Sequence, residues 1–248
     1  MRAVADPVEL ASQVRREWGV GESQSLDILN LLSTWEGISI VRTTFGDASR
    51  ASGLFARRAD STLIVLNSSR TLGHQLFTAA HEYYHVRFSE GMSGRICITL
   101  QPQGKQPDEL MADQFAANLL VPDGGIRAML SRYATDSEPS WPTILRLEQH
   151  FRVSHQAMLW RLWQVDYFIN REQMEEYAKG VRRQAHSWGL ATELYHADAG
   201  HQVISDVPLK VRRALELGLI SQGWAGELLD AMGAAEPPDG GSGDGLSE

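Results

Sequence analysis

Apolar residues recur at three- and four-residue spacing through much of this chain, which is typical of helices with one buried face. The spacing predicts ten helices. In chain order they are Val8–Trp18, Ser25–Trp35, Leu72–Ser89, Pro107–Val121, Gly124–Tyr133, Thr143–Phe151, His155–Gln164, Arg171–Trp188, Pro208–Leu217 and Ser221–Met232. The sixth and seventh resemble a helix-turn-helix pair, with Ser154 as the N-cap of the second helix.

Short alternating runs in the first half of the chain predict strands. They are Ile38–Phe45, Gly53–Arg57, Ser61–Leu66 and Arg95–Leu100. We expect these strands to form a small antiparallel sheet, with the helices at Leu72–Ser89 and Pro107–Val121 packed beside it. The fold class is therefore predicted to be α+β. The stretch from Glu193 to Val207 has no clear period and is predicted to be irregular.

These elements divide the chain into three parts. Residues 1–135 hold the sheet and its helices, residues 136–232 form a helical C-terminal region, and residues 233–248 form a tail. The tail is rich in glycine, proline and acidic residues, so we expect it to be disordered.

Composition limits where in the cell the protein can act and which classes of partner it can bind. A net charge of −8 over 248 residues argues against a strong general DNA-binding protein. The single cysteine fits a reducing cytoplasm. No run approaches the roughly 18 apolar residues of a membrane span, and Met1 to Pro7 has no long apolar segment. We expect a cytoplasmic protein without a membrane partner, and the sequence sets no oligomeric state.

An H-E-x-x-H motif lies in the helix predicted over Leu72–Ser89, formed by His81, Glu82 and His85. Residues four apart share a helix face, about 6 Å apart along the axis, so both imidazoles can reach one Zn²⁺. Glu82 is rotated by about 100° and lies beside the metal, where it can deprotonate a water. The motif predicts a metal-dependent hydrolase, most simply a peptidase. The alternative is an exposed helix with two incidental histidines.

A catalytic zinc site has three protein ligands and one open position. The helix predicted over Pro107–Val121 offers Glu109 and Asp113, which share a face. Glu109 can bind the metal, and Asp113 can accept a hydrogen bond from the outer nitrogen of a ligating imidazole. Two alternatives stay open. Acidic residues at a helix start also suit the helix dipole, and Asp108, the expected N-cap, could be the ligand instead.

The histidine motif together with the run from Glu109 to Pro122 resembles the ImmA/IrrE metallopeptidases, over the segment that begins at Leu72. The resemblance implies a zincin-like metallopeptidase half-domain in which the two histidines and Glu109 bind zinc and Glu82 is the general base. It also implies a substrate class, namely Xre-type helix-turn-helix repressors that are cleaved to release genes after DNA damage or phage-related stress.

Cys97 lies in the alternating run between the two ligand helices. The ordinary interpretation is a buried strand thiol that packs as a small hydrophobe. The sharper hypothesis is that its sulfur faces the zinc, fills the water position and keeps the enzyme latent until the sulfur is displaced or oxidised. CapP-type proteases, which are ImmA/IrrE relatives linked to phage-defence operons, look similar in having such a thiol ligand.

Two other function classes compete with the peptidase. One is a catalytically silent binding module that acts on the same kind of partner. The other is a transcription factor that uses residues 143–164, although the second helix of that pair offers only Arg161 as a base and reads as a packed helix. For the peptidase, Tyr133, His150 and His155 are downstream candidates for the oxyanion donor.

Two basic clusters lie in the predicted C-terminal helices. They are Lys179, Arg182 and Arg183, and Lys210, Arg212 and Arg213. Small clusters of this kind are ordinarily solvated helix faces. With Trp188 and Tyr195 nearby, they could instead bind single-stranded DNA as an activator.

Overall fold

A computed structural model describes residues 6–46, 49–59, 61–89, 92–97, 106–133, 139–198 and 200–234. They form two compact units, the first extending to Ile204 and the second beginning at Ser205. The elements of the first unit, in chain order, are α1 (Pro7–Glu17), α2 (Ile28–Thr34), β1 (Ser39–Thr43), β2 (Gly53–Arg58), β3 (Ser61–Asn67), α3 (Leu72–Phe88), β4 (Gly94–Cys97), α4 (Pro107–Leu120), α5 (Asp123–Tyr133), α6 (Trp141–Phe151), α7 (His155–Gln164), α8 (Arg171–Glu176), α9 (Val181–Ser187) and β5 (Gln202–Ile204). The second unit contains α10 (Val207–Glu216) and α11 (Gln222–Ala231).

The α+β class predicted from the sequence is confirmed, but the sheet is mixed rather than antiparallel. Its strand order is β4-β2-β3-β1-β5. Three of the four pairings are antiparallel, and β1 pairs with β3 in parallel. Alternation along a strand fixes which face each side chain takes but not which strand lies beside it. Here β3 lies between β1 and β2, which the sequence pattern did not indicate.

The strand β4 forms one edge of this sheet among the described residues. It extends to Cys97, the last described residue before a gap. The rest of the predicted strand, residues 98–100, lies outside the described residues. At the other edge, β5 falls within the stretch from Glu193 to Val207 that was predicted to be irregular. That stretch also contains a 3-10 turn at Glu193–Tyr195, so the prediction is wrong there.

The helix α3 is buried along most of its length, between the sheet and α4. On its core side, the ring of Tyr83 lies 5.5 Å from that of Trp18 and 6.2 Å from that of Phe115. The imidazoles of His81 and His85 lie on another part of its surface and are fully buried. A helix enclosed on all sides holds its side chains in fixed positions, which suits a site that needs accurate geometry.

The start of α3 is held by chain that comes much later in the sequence. The backbone N–H of Leu72 donates to the carbonyl of His196 at 2.9 Å, and Thr71 forms a β-bridge with Ala197. Gly73 lies against the turn before α7, where an added Cβ would be 2.6 Å from the nitrogen of Ser154. No side chain larger than hydrogen fits at this close approach.

Two buried arginines bind carbonyls at the carboxyl end of α4. Arg15 donates to the carbonyl of Leu119 at 2.6 Å, and Arg161 donates to the carbonyl of Val121 at 2.9 Å. Cations there satisfy carbonyls without helical partners and oppose the negative end of the helix dipole. Arg161 is the basic residue that the transcription-factor hypothesis would use to contact DNA, but it is only 3% exposed and lies inside the protein.

The pair α6 and α7 matches the predicted helix-turn-helix, and the hydroxyl of Ser154 caps α7 by accepting from the N–H of Ala157 at 3.3 Å. The single helix predicted over Arg171–Trp188 is wrong. It is divided into α8 and α9 because Gly180 adopts a left-handed conformation with φ of +90°.

The predicted boundary at residue 135 and tail residues 235–248 lie outside the described residues. None of the described helices combines the length and apolarity needed to span a bilayer.

Candidate metal centre

Four side chains from three elements converge at one buried point. The helix α3 contributes His81 and His85, α4 contributes Glu109, and β4 contributes Cys97. One nitrogen, oxygen or sulfur atom from each lies within 4.8 Å of the corresponding atom of the others. Two imidazoles, a carboxylate and a thiol form a donor set that suits Zn²⁺. The structure therefore places together all the candidate metal ligands named from the sequence, including Cys97.

The inner nitrogens of the two histidines have no hydrogen-bond partner among the described residues. The Nε2 of His81 lies 3.3 Å from Oε2 of Glu109, and the Nε2 of His85 lies 3.3 Å from Oε1, without hydrogen-bond alignment. Leaving two buried ring nitrogens unsatisfied costs free energy. A cation held between these nitrogens and the Glu109 carboxylate would remove that cost, so the residues fit a metal.

Carboxylates hold the outer nitrogens of both rings. The Nδ1 of His81 lies 2.9 Å from Oδ1 of Asp113. The Nδ1 of His85 lies 3.0 Å from the hydroxyl of Ser89 and 3.2 Å from Oδ2 of Asp108. A proton on each Nδ1 satisfies these acceptors and leaves each Nε2 lone pair directed at the centre, as metal-binding histidines require.

Asp108 is not the N-cap of α4, as the sequence suggested. The N-cap is Gln106, Pro107 follows it, and Asp108 lies in the first turn of α4, where its carboxylate accepts from the hydroxyl of Ser89 at 3.2 Å. The expectation was wrong because α4 begins at Pro107, two residues earlier than an N-cap at Asp108 would allow, which leaves the Asp108 side chain free to reach α3. Asp108 therefore supports His85 much as Asp113 supports His81.

Glu82 is fully buried, and neither of its carboxylate oxygens has a hydrogen-bond partner among the described residues. Burial raises the pKa of Glu82 to about 7. Space for this carboxylate depends on Gly53 of β2, where a Cβ would lie 2.6 Å from the methyl of Thr78 and 3.2 Å from Oε1 of Glu82. A desolvated carboxylate with a pKa near neutrality is suited to accept and return a proton.

The charges at the centre are strongly coupled. Burial opposes protonation of His81, but the carboxylates of Asp113 and Glu109 prevail and raise its pKa to about 9. Burial also opposes ionisation of Glu109, yet the adjacent imidazoles lower its pKa well below the ordinary value. Without a metal, these carboxylates therefore favour a protonated His81, and a metal ion that binds there competes with that proton.

Cys97 is 1% exposed, and its sulfur lies 3.9 Å from Oε1 of Glu109. Burial, assisted by the nearby charges of Glu82 and Glu109, raises the pKa of the Cys97 thiol above its usual value. Without a metal, the thiol thus stays protonated and behaves as a small buried side chain. Coordination is the one change that would favour its thiolate in this environment.

Two of the three oxyanion-donor candidates from the sequence, His150 and His155, bind other groups. The Nε2 of His150 donates to a backbone carbonyl at 2.7 Å, and the ring of Tyr133 lies 6.3 Å from that of His150. His155 bonds Glu148 through Nδ1 and the carbonyl of Tyr177 through Nε2, both at 2.6 Å. Neither histidine belongs to the ligand cluster.

Sequence reasoning missed Arg95 of β4. Its Nε lies 3.3 Å from Oε1 of Glu109 and its Nη1 lies 3.8 Å from Oδ2 of Asp108. It also lines an open cleft of about 590 Å³ beside the centre, whose other lining residues are Phe88, Ser89, Met92, Gln106, Pro107 and Asp108. Alternation was the available signal, because Arg95 is two residues from Cys97 and so shares its face of the strand.

Residues 36–162 match the family model of peptidase M78, described as the IrrE N-terminal-like domain. The chain belongs to the peptidase M78 family. The match covers about half of the chain, including α3, β4 and α4, which carry all four candidate ligands. The ImmA/IrrE assignment made from the sequence is thereby confirmed, and M78 membership supports a metallopeptidase function. No curated protein matches the chain significantly.

Proposed function

We propose that this M78 protein is a zinc endopeptidase that cleaves an Xre-type repressor and so releases stress or phage-defence genes from repression. The enzymatic part rests on the convergence of two imidazole nitrogens and the Glu109 carboxylate beside the carboxylate of Glu82. Neither those two nitrogens nor the oxygens of Glu82 have a hydrogen-bond partner within the described ranges. The repressor as substrate follows from the family resemblance alone.

Bound zinc would supply Lewis acidity, which polarises a carbonyl and lowers the pKa of a coordinated water to about 7. Glu82 accepts a proton from the attacking water while the water oxygen bonds to the scissile carbonyl carbon. The π electron pair of the carbonyl moves to the carbonyl oxygen. Glu82 then gives that proton to the amide nitrogen as the C–N bond breaks. Asp113 and Asp108 keep the histidine rings oriented throughout.

The edge strand β4 offers a way to hold an extended substrate. Among the described residues it pairs with β2 on one side only, and Cys97 and Arg95 place this strand next to the centre. A substrate segment added to its other side would bind through backbone hydrogen bonds and lie across the metal. This favours cleavage within an extended region of the repressor rather than within a folded helix.

Cleavage of the repressor is the direct test. We expect zinc-loaded protein to cut an Xre-type repressor, for example one encoded beside its own gene, at one or a few bonds, because pairing with the edge strand β4 selects extended segments. Mass spectrometry of the products measures this. A chelator should stop the reaction, and added zinc should restore it. Intact repressor under all metal conditions, with binding retained, would instead support the silent binding module.

We also propose single-stranded DNA as an activator, and it can be added to the same cleavage assay to compare rates with and without it. The exposed residues Lys179, Arg182 and Arg183 have no acidic partner among the described ion pairs, and Trp188 is 55% exposed at the end of α9. Cations with an exposed indole can hold a backbone and stack on a base. Tyr195 cannot contribute in this way, since it is buried and donates to Glu148 at 2.6 Å.

We also propose that Cys97 keeps the enzyme latent as a fourth ligand, which oxidation or displacement of the sulfur releases. Changing Cys97 to Ala should then raise basal repressor cleavage, by about tenfold if nine-tenths of the enzyme is latent. Initial rates with matched zinc content measure the change. An oxidant should activate the unchanged protein and leave the variant unaffected. Equal or lower basal rates in the variant would identify Cys97 as a packing residue.

A further inference from the structure

The cleft beside the metal centre has a guanidinium on its wall. Arg95 follows Gly94 at the start of β4, and its side chain is 29% exposed. Oxygen Oε1 of Glu109 lies 3.3 Å from Arg95 Nε and 3.3 Å from the Nε2 of His85. A single oxygen atom of Glu109 therefore contacts both the Arg95 guanidinium and a candidate ligand, His85.

Most of the donors of Arg95 have no acceptor among the described residues. A guanidinium has five N–H groups, and the Nε group is occupied by Glu109. The separation of 3.8 Å between Nη1 and Asp108 is too long for a hydrogen bond. No other ion pair of Arg95 occurs among the described residues. An arginine used only for structure ordinarily satisfies more of its fork, as Arg161 does with three acceptors.

The proposed reaction needs a positive group at this place. Negative charge develops on the scissile oxygen while Glu82 holds the proton, and a fixed donor that faces this oxygen in a site of low water content lowers the barrier. His150 and His155 do not belong to the ligand cluster, whereas Arg95 contacts Glu109 of that cluster and lines the cleft.

We propose that Arg95 is a catalytic residue whose guanidinium donates to the oxyanion formed on the scissile carbonyl. This rests on the peptidase function proposed above. Its position on β4 gives it a second property. A substrate strand paired with β4 brings its carbonyl to the same strand that carries the donor, so strand addition and oxyanion binding are set by one element.

Anion binding tests this role without relying on cleavage. In the Cys97→Ala background, so that no thiol competes, Co²⁺-loaded protein is titrated with inorganic phosphate, and the cobalt absorption spectrum reports the binding. We expect Arg95→Met to weaken phosphate binding about 10- to 100-fold, the range for loss of a hydrogen bond to a charged group. Arg95→Lys should fall between, because an ammonium keeps the charge but not the fork.

The matched control is Arg127→Met, which removes the same charge from an exposed position on α5 outside the cleft lining. It should bind phosphate like its parent. In repressor cleavage, Arg95→Met should lower kcat by about 10²- to 10³-fold and leave KM unchanged, as for loss of an oxyanion donor.

Two results would overturn the proposal. One is phosphate affinity that does not change in Arg95→Met. The other is loss of Co²⁺ from that variant, which would make Arg95 a positioning residue for Glu109. If the parent protein cleaves no repressor, the phosphate titration still decides the role of Arg95, so failure of the proposed function and failure of this inference are separable.

Discussion

We expect Glu82→Gln to lower repressor cleavage by about 10²- to 10⁴-fold, the range for loss of a general base, and to leave the metal bound. Glutamine has nearly the same shape but cannot take the proton of the attacking water. Because neither oxygen of Glu82 has a hydrogen-bond partner in the part of the chain that the structure describes, the exchange breaks no hydrogen bond there. The neutral amide also removes a buried carboxylate, so thermal unfolding should not shift downward.

Product formation, metal content and repressor binding should be measured on the same preparations. Glu172→Gln, on the exposed face of α8, is the matched control and should cleave like the parent. A Glu82→Gln protein that keeps both zinc and repressor yet releases no product supports the peptidase. Equal cleavage by the parent and Glu82→Gln would remove Glu82 from the mechanism and favour a different base.

Glu109→Gln should reduce metal affinity by well over about 100-fold, because it removes the anionic ligand between the two inner nitrogens. Asp113→Asn should cost less, about 10- to 100-fold, since Asp113 acts through the outer nitrogen of His81. Competition with a fluorescent chelator measures both affinities. The order of the two effects is the sharper expectation, because it separates a ligand from the group that orients another ligand.

Thermal unfolding gives a second readout of the same change. A ligand that binds only the folded state stabilises it by about 2.7 kcal/mol at 100 times its Kd. Zinc should therefore raise the unfolding temperature of the parent protein and of the Glu172→Gln control. It should have little effect on Glu109→Gln. If zinc stabilises Glu109→Gln as strongly as the parent, another group must be the third ligand.

The sequence predicted the parts of the centre that depend on local spacing. The positions of His81, Glu82 and His85 on one helix follow from the helical period, and so does the pairing of Glu109 with Asp113 on α4. Their meeting in space required the family resemblance, because nothing in a spacing pattern sets which helices pack together.

The groups that the sequence missed or misplaced depend on contacts between distant segments. Asp108 reaches His85 only because α4 starts against the end of α3, and Arg95 reaches Glu109 only because β4 is the edge strand. The order of strands has the same origin, since β3 separates β1 from β2. Two local signals were nevertheless present, namely the alternation that puts Arg95 on the same face of β4 as Cys97 and the glycine at position 180 within the predicted helix.

The anchoring of α3 has a consequence for how small a working enzyme can be made. Its first residues bond to His196 and Ala197, whereas the family match ends at residue 162. On the N-terminal side of the match, Arg15 of α1 donates to the carbonyl of Leu119 in α4. A fragment confined to residues 36–162 would carry every candidate ligand yet lack both contacts, so the unit that holds the centre is larger than the segment by which the family is recognised.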